Sequence, residues 1–582
     1  MSTNAELSHI FNEMSKVLQL ISANPFRVNA HANVARILKD MIVDVAELAD
    51  DPAKLTAIDG IGAGSAKKII EFVQTGKVKE YEALLDSIPR GLLEVMAIPG
   101  LGPKTVKLMW EKAGITSLAT LKKKLNSGQL EKLPRIGAKT VANIKESLAF
   151  AAKASQRTRL GEAMILAEAI VEFLTKVEGA NRVAYAGSLR RGLDTIGDID
   201  ILGTTTNPAA LSTAFRAMPG VQKVLAAGET KSSVRLDSGV QVDLRVIDDT
   251  SFGAALMYFT GSKQHNVVLR ERAIKKGLRL NEYGLFLDDG EHDEPPQKRG
   301  VKPVAAKTEK AIYAALDLPW FPPEVREDRG ELDVKETPKL IEIDDIKAEL
   351  HAHTIASDGK MTIDELAHEA KARGFHTVAV TDHSRSSIQA NGLSPKRLRE
   401  HIDAVREANE RIKGITILAG SEVDIHADGR LDYDDTLLAE LDVVIASPHS
   451  ALRQDAKAAT RRLVTAISHP LVHVLGHPTG RLINKREGLH PDINALIQAA
   501  LEHDTALEIN ANYQRLDLRD VHVKATVDAG ALIAINTDAH TPDHFDFLRY
   551  GILTARRGWL TPKQCINAWT KQKLHDWLGA KR

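Results

Sequence analysis

A single cysteine, Cys565, excludes a disulfide framework and suits a reducing compartment. Net charge is also missing, because 77 Lys and Arg balance 77 Asp and Glu, so attraction to a polyanion has to come from charge segregated along the chain. Such segregation is present: residues 97–145 hold ten Lys and Arg against Glu111 and Glu131 alone, whereas acids crowd the stretch after Pro319. No apolar run approaches the ~18 residues that cross a bilayer, and the N-terminus is polar. Neither a membrane span nor a signal peptide is therefore expected. At 582 residues the chain exceeds what one hydrophobic core supports, so roughly two to four domains are expected.

What is there concentrates first in residues 187–200, GSLRRGLDTIGDID. Gly187 and Ser188 open a turn whose backbone N–H groups can cradle phosphate oxygens, and Arg190 and Arg191 add positive charge beside it. Asp198 and Asp200 stand two apart in an extended run, so the period of a strand turns both carboxylates to one face. In GVQVDLRVI, Gln241 and Asp243 alternate with Val240 and Val242, as on a half-buried strand, and supply a third acid. Three oxygen donors suit a pair of Mg²⁺ or Mn²⁺ ions that bridge substrate phosphates. Solvated acids on a polar turn are the plainer reading of Asp-x-Asp alone, and the glycine-serine turn argues against it.

Residues 5–49 carry helical periodicity, with Leu7, Ile10, Phe11, Met14, Leu18 and Ile21 on one stripe, a break at Asn24-Pro25, and resumption through Val34, Ile37 and Leu38. Three glycine turns follow: IDGIGAGSAKKI from 58, AIPGLGPKTVKLM from 97 and LPRIGAKTV from 133. Each leads into a helix start bearing lysine, which aims backbone N–H groups at a phosphate. The candidate contacts are Gly60, Gly62, Gly100, Gly102, Lys104, Gly137 and Lys139. Helix capping explains one such glycine by itself, but three repeats in order favour a backbone grip. The third repeat departs from the pattern, with Arg135 where glycine is expected.

Residues 319–345 contain PWFPP, a run of charges and Pro338, and read as an extended linker. Seventeen of the 21 histidines lie beyond residue 348. Apolar runs there end in metal-binding residue types: VAVTDH at 378–383, ITILAGSE at 415–422, DVVIASPH at 442–449, VLGH at 474–477 and ALIAINTDAH at 531–540. Helical patterns at 361–373, 396–413, 454–467 and 492–503 separate them, which predicts a β/α barrel with its site at the strands' C-terminal ends. The candidate ligands are His351, His353, Asp358, His383, Glu422, His449, His477, Asp538 and His540. Mixed imidazole and carboxylate donors suit Zn²⁺ or Mn²⁺, and this set suffices for two to three ions. A lone histidine is more often structural, and His426, His469 and His473 are read that way. Asp424, Asn510 and Arg481 are candidates to orient ligands or touch substrate.

The 187–200 stretch resembles the nucleotidyltransferase superfamily, and YFTGSKQHN at 258–266 with RAIKKGLRLNEYGLF at 272–286 resembles the family X DNA polymerases in particular. The glycine turns resemble the helix-hairpin-helix motif of sequence-independent DNA binders. HAHTIASDG, TDHS, GSE, SPHS, GHPTGR and TDAH together resemble the polymerase and histidinol phosphatase (PHP) domain, a metal-dependent phosphoesterase with a trinuclear centre.

The resemblance covers almost the whole chain and implies a multidomain α and α/β protein. Its parts are a helical DNA-binding domain with the first hairpin (1–90), a second helix-hairpin-helix subdomain (91–155) and a nucleotidyltransferase palm with a mixed sheet (156–250). A nucleotide- and template-binding subdomain (251–318), the linker (319–345) and a distorted β/α barrel (346–582) follow. By resemblance, Asp198 and Asp200 bind both metals of the polymerase centre, Asp243 ligates the catalytic one, and Ser188 and Arg191 hold the β- and γ-phosphates. Tyr258, Phe259 and Gly261 meet the nucleotide sugar, and Asn266 and Arg270 reach nucleotide and template. Glu282 lies in the similar NEY motif, whereas Lys263 stands where eukaryotic relatives carry an acid. Lys68 matches the Schiff-base lysine of a 5′-deoxyribose phosphate lyase, with an ordinary phosphate-contacting lysine as the alternative.

The implied protein is a cytoplasmic, nucleoid-associated monomer that fills gapped or nicked DNA from dNTPs in base excision repair. The same chain would carry 3′→5′ exonuclease, 3′-end cleaning and abasic-site incision activities. The rivals are a 3′ nuclease whose polymerase half only positions DNA, a gap-recognising scaffold, and an enzyme adding nucleotides to RNA or a small molecule.

Overall fold

The computed structural model describes residues 3–41, 43–96, 101–127, 130, 136, 141, 144, 157–288 and 294–581. The chain divides into two compact units, Met1–Gln156 and Arg157–Arg582. The first is helical. Leu7, Phe11, Met14 and Leu18 on helix Thr3–Leu20 are fully buried with Val34 and Leu38 of helix Pro25–Asp40, while Ile10 and Ile21 flank them. Pro25 opens the second helix, and Asn24 caps it by accepting the N–H of Phe26, so the expected break is a helix start.

In the second unit a five-stranded mixed sheet is ordered Ala180–Tyr185, Asp198–Thr205, Gln241–Val246, Lys231–Leu236 and Val221–Ala226. Asp198–Thr205 and Gln241–Val246 run parallel, and the remaining neighbours are antiparallel. Residues 221–247 form three strands. Gly239, at a φ of 90°, closes a tight turn in which Leu236 and Val240 hydrogen-bond at 2.9 Å, and this splits the run.

The stretch 319–345 is not the extended linker its prolines and charges suggest. Phe321, Val325 and Leu340 share one core with Met257, Leu269, Ile312 and Tyr313. Three of its acids are paired rather than solvated: Glu324 with Arg556 at 2.8 Å, Glu327 with Arg191 at 2.8 Å, and Glu331 with His265 at 2.7 Å. With these three carboxylates partnered and Asp333, Glu336, Glu342 and Asp344 left exposed, the strap can be packed at little electrostatic cost.

Seven parallel strands then follow in sequence order: Ala348–Glu349, Thr377–Val380, Thr416–Asp424, Val443–Ser447, Val474–Leu475, Ala506–Asn510 and Ile533–Asn536. Ala352 bridges Ala539 across the ends, so the sheet curls nearly shut into a barrel. Helices Ile363–Ala372, Pro395–Arg411, Ala456–Ile467 and Ile493–Glu502 answer the expected helical patterns. The barrel shares a core with the mixed sheet, since Ile483, Leu516 and Tyr550 pack with Leu160, Leu189 and Ile196.

His473 is structural, as its sequence context suggested. Its Nδ1 accepts the N–H of Val444 at 3.1 Å, and its Nε2 donates to the Leu578 carbonyl at 3.1 Å, which leaves no place for a second proton. Burial pushes its pKa from 6.5 down to about 4. Between those values the unfolded chain binds a proton that the folded chain refuses, so stability present above pH 6.5 is lost as pH falls toward 4. This group's share is on the order of 3 kcal/mol. A His473→Gln variant should flatten the acid limb of a plot of melting temperature against pH. An unchanged limb would remove His473 as its source.

Candidate active sites

The first site lies on the mixed sheet. The register places Asp200 opposite Asp243 and Asp198 opposite Gln241, so the three acids expected from the strand pattern share one side of adjacent strands. Gln241 Nε2 donates to Asp243 Oδ1 at 2.9 Å. Burial, then the charges of Asp198 and Asp243, raise the Asp200 pKa from 3.8 to about 7, against the pull of Arg245 and Arg191. Asp198 is raised by burial and by Asp243. Carboxylates that repel one another, Asp200 and Asp243 half-buried and Asp198 at the exposed strand end, with too little protein cation to balance them, fit hard divalent cations.

The turn expected to cradle phosphate abuts these acids. Ala186 N–H donates to the Asp200 carbonyl at 2.8 Å, and Gly187 has a φ of 64°. A Cβ on Gly187 would overlap Asp200 Oδ2. Gly187→Ala should therefore weaken divalent-cation binding at these acids about 10- to 100-fold, through strain and a displaced carboxylate. Titration of the protein with Mn²⁺ checks this, and unchanged binding would show that the turn tolerates a side chain.

The two arginines divide. Arg190 is committed elsewhere: its Nη1 and Nη2 grip Glu309 at 2.7 and 2.9 Å, and Nη1 also reaches Thr260 Oγ1 at 2.7 Å. Burial works against the charge of Glu309, yet Arg190 and Arg326 hold its pKa down to about 2. Arg191 uses Nε on Glu327 and Nη1 on the Thr260 carbonyl, and its Nη2 has no partner among the described residues. Ser188 sits half-buried beside it.

The Tyr258 and Phe259 rings meet edge to face at 5.1 Å, and Arg245 stacks on Phe259 at 4.4 Å. Both rings are half-buried. Gly261, at a φ of 70°, lets Arg191 Nη1 pass 3.2 Å from where a Cβ would stand. Asn266 turns inward and donates Nδ2 to the Tyr258 carbonyl at 2.7 Å, while exposed Arg270 reaches back to the Asn266 carbonyl at 3.2 Å. Asn266 thus braces the Tyr258 backbone, a task its sequence context did not reveal.

In the helical unit, Gly60 has a φ of 83°, and a Cβ there would come within 2.6 Å of Asn33 Nδ2 and Ile37 Cδ1. Gly62 begins helix Ala63–Thr75 and Gly102 begins Pro103–Ala113; each faces open space, and Lys104 is exposed beside the second. Gly100, Gly137 and Lys139 lie outside the described residues. Lys68 Nζ is paired with Glu80 at 2.9 Å and donates to the Gly64 carbonyl at 3.1 Å.

The second site lies in the barrel, where all nine expected ligands converge. Side-chain donors fall into three overlapping groups: His353, Asp358, His383 and His540; His351, His353 and Asp538; His383, Glu422 and His449. Glu422 is central, with His477 Nε2 at 2.7 Å, His383 Nδ1 at 2.8 Å, His449 Nε2 at 3.2 Å, His351 Nε2 at 3.4 Å and His353 Nε2 at 3.7 Å. Buried atoms without a hydrogen-bond partner include both ring nitrogens of His353, Nε2 of His351, Nδ1 of His383 and His477, Oε2 of Glu422 and Oδ1 of Asp538. Orphaned lone pairs crowded in this way fit a cluster of metal ions.

Burial, then neighbouring His540 and His383, lower the His353 pKa to about 4, so it is a neutral donor at physiological pH. Burial opposes the charge of His449, but Glu422 and Asp424 raise it to about 10. Asp424 Oδ1 orients His449 at 3.0 Å, and Asn510 holds Asp538 at 3.0 Å, as supporting residues should. Arg481 does not face the cluster: it pairs with Asp194 across the seam at 3.1 Å. Glu508 was missed. It receives His351 Nδ1 at 2.8 Å, the His477 N–H at 2.7 Å and Asn536 Nδ2 at 2.8 Å, from a strand not among the expected runs. A charge inside the apolar run ALEIN was its only local signal.

The chain is similar to known proteins over most of its length. A helix-hairpin-helix domain matches residues 2–78, a SAM-like helix-hairpin-helix tandem 92–149, a DNA polymerase beta thumb 255–327 and a PHP domain 349–512. The DNA polymerase/3′-5′ exonuclease PolX of Bacillus subtilis (strain 168) is 35% identical over 577 residues, 98% of this chain and 99% of the relative. A probable phosphatase of Thermoanaerobacter sp. (strain X514) is 32% identical over 213 residues, 34% of this chain and 80% of the relative. One of Enterobacter sp. (strain 638) is 31% identical over 204 residues, 33% of this chain and 78% of the relative.

Proposed function

The chain belongs to the DNA polymerase/3′-5′ exonuclease PolX family, and from that premise we propose how its two donor clusters divide the work. It is a DNA-directed DNA polymerase that also carries a 3′→5′ exonuclease. The observation that carries the division is the separation of an all-carboxylate set on the mixed sheet from a histidine-rich set in the barrel.

Asp198, Asp200 and Asp243 would hold Mg²⁺ or Mn²⁺ at the polymerase centre, and the barrel ligands would hold two to three Zn²⁺ or Mn²⁺ ions. When bound, such ions neutralise phosphate charge and make an attacking hydroxyl or water more acidic. Arg191 Nη2 and Ser188 bind the β- and γ-phosphates, the Tyr258–Phe259 segment, braced by Asn266, lines the nucleotide sugar, and Arg270 faces the template. The open hairpin turns at Gly62 and Gly102, with Lys104, hold the DNA backbone without reading sequence. The Lys68–Glu80 pair favours phosphate gripping over lyase chemistry, because a Schiff-base nucleophile must first leave that pair.

In the barrel, Asp424 and Glu508 fix the ring orientations of His449 and His351, so the donors stand ready without reorganisation. The substrate is gapped or nicked DNA with dNTPs, and the setting is base excision repair, where a blocked 3′ end must be cleared before synthesis. The protein acts as a monomer at the nucleoid. Among the described residues no helix is long and apolar enough to cross a membrane.

The test is a primer across a one-nucleotide gap, with Mn²⁺, with and without dNTPs. Lengthening that requires Asp198 and shortening that requires His353 would establish two independent centres. Shortening alone, unaffected by Asp198→Ala, would leave a nuclease with a DNA-holding arm.

A further inference from the structure

The barrel half reaches into the phosphate cradle. Arg557 ends helix Leu548–Arg557, and its side chain is 5% exposed. Nη1 donates to Glu327 Oε1 and to the Arg191 carbonyl, both at 2.8 Å. Nη2 and Nε donate to Asp520 Oδ2 at 2.7 and 3.1 Å, and Arg329 adds a further bond to the same oxygen at 2.9 Å. Glu327 in turn receives Nε of Arg191 at 2.8 Å. Charges of alternating sign therefore run Asp520, Arg557, Glu327, Arg191, from two barrel helices to the residue that follows Gly187–Arg190. None of the four side chains is more than 15% exposed, so water and salt screen the chain weakly. The surrounding seam is close-packed: a Cβ on Gly192 would stand 3.0 Å from Leu553 Cβ.

This arrangement does two things for Arg191. With Nε on Glu327 and Nη1 on the Thr260 carbonyl, the guanidinium plane is fixed and only Nη2 is left for a ligand, so little rotamer entropy remains to be lost on binding an anion. Glu327 alone would present a negative charge beside an incoming polyphosphate; Arg557 offsets it and also holds the Arg191 backbone.

We infer that Arg557, supplied by the barrel half, is a positioning residue for nucleotide binding at the polymerase centre, holding Arg191 through Glu327 and the Arg191 carbonyl with Nη2 directed to the triphosphate. The inference rests on the assignment of Arg191 to phosphate binding made above. It makes the barrel a structural part of the polymerase site in addition to its own chemistry.

The test uses the full chain, a one-nucleotide gapped duplex and a single dNTP, with 3′→5′ degradation of a single strand measured on the same preparations. Arg557→Lys keeps the charge but loses the fork that spans Asp520, Glu327 and the Arg191 carbonyl; Glu327→Gln keeps the shape but loses the charge. Each should raise KM for dNTP about 10- to 100-fold, the usual cost of losing an orienting partner, with kcat changed less than about threefold and degradation unchanged. The double variant should cost less than the product of the single effects, because both act through Arg191. An Arg557→Lys protein with unchanged KM, beside an Arg191→Met protein with a raised one, would overturn the inference and spare the assignment of Arg191. If Arg191→Met also binds dNTP normally, that assignment fails first and the inference with it. A parallel fall in extension, degradation and melting temperature would show a fold-stabilising role only, and would likewise overturn it.

Discussion

Primer extension should fall by on the order of 10³-fold in an Asp200→Asn protein that should nevertheless be harder to unfold than the original when metal is chelated. Both outcomes follow from one geometry. Asp200 stands opposite Asp243 and shares a side with Asp198, so asparagine keeps its volume but removes one of three anionic donors. The same crowding raises its pKa from 3.8 to about 7, a cost the folded chain carries whenever Asp200 is ionised. The folded state holds this proton more tightly than the unfolded state, so stability is lost as pH rises from 3.8 to about 7 and stays lost above it. The stabilising effect of Asp200→Asn should accordingly be full above pH 7 and shrink progressively as the pH falls toward 4. Melting curves in EDTA across that range, beside extension assays with Mn²⁺, check both halves. Lost extension without the pH-dependent gain would mean that some cation not identified at the site balances Asp200.

Glu422→Gln is expected to abolish 3′→5′ degradation, by on the order of 10³-fold or more, while primer extension continues. Glu422 is 1% exposed and lies within 3.7 Å of five imidazoles, more than any other acid of the barrel cluster. Burial opposes its ionisation, yet His449, His351 and His383 hold its pKa well below the usual carboxylate range, so it is an anion at any working pH. Glutamine fills the same space but cannot bridge cations as a carboxylate does. Metal analysis of the purified variant should show at least one ion fewer per chain than the original. Full occupancy together with full degradation would remove Glu422 from the centre. Retained extension also separates the two sites, because none of the barrel ligands lies among Asp198, Asp200 and Asp243.

Much of this is legible in the sequence. Strand alternation placed Asp198 and Asp200 on one face, and the recurrence of apolar runs ending in His, Glu or Asp predicted a parallel barrel with its ligands at one end. The prolines and charges of 319–345 misled, because a charged residue reads as solvated until its partner is found, and Glu324, Glu327 and Glu331 find theirs more than 60 residues away. Arg190 and Arg191 are neighbours with the same side chain, yet one is sealed against Glu309 and the other keeps a nitrogen free. Nothing local distinguishes them.

Residue chemistry and local periodicity thus sufficed to point to the acids and imidazoles that the folded chain brings together, and to most of the strands that carry them. Only the tertiary structure decided that Asp200 faces Asp243, that Glu508 orients two of the barrel histidines, and that Arg557 of the barrel stands behind Arg191. The physical reason is range. A side chain's direction along a strand or helix follows from its nearest neighbours in sequence, whereas the partner of a buried charge is chosen by packing between segments that meet only when the whole chain has folded.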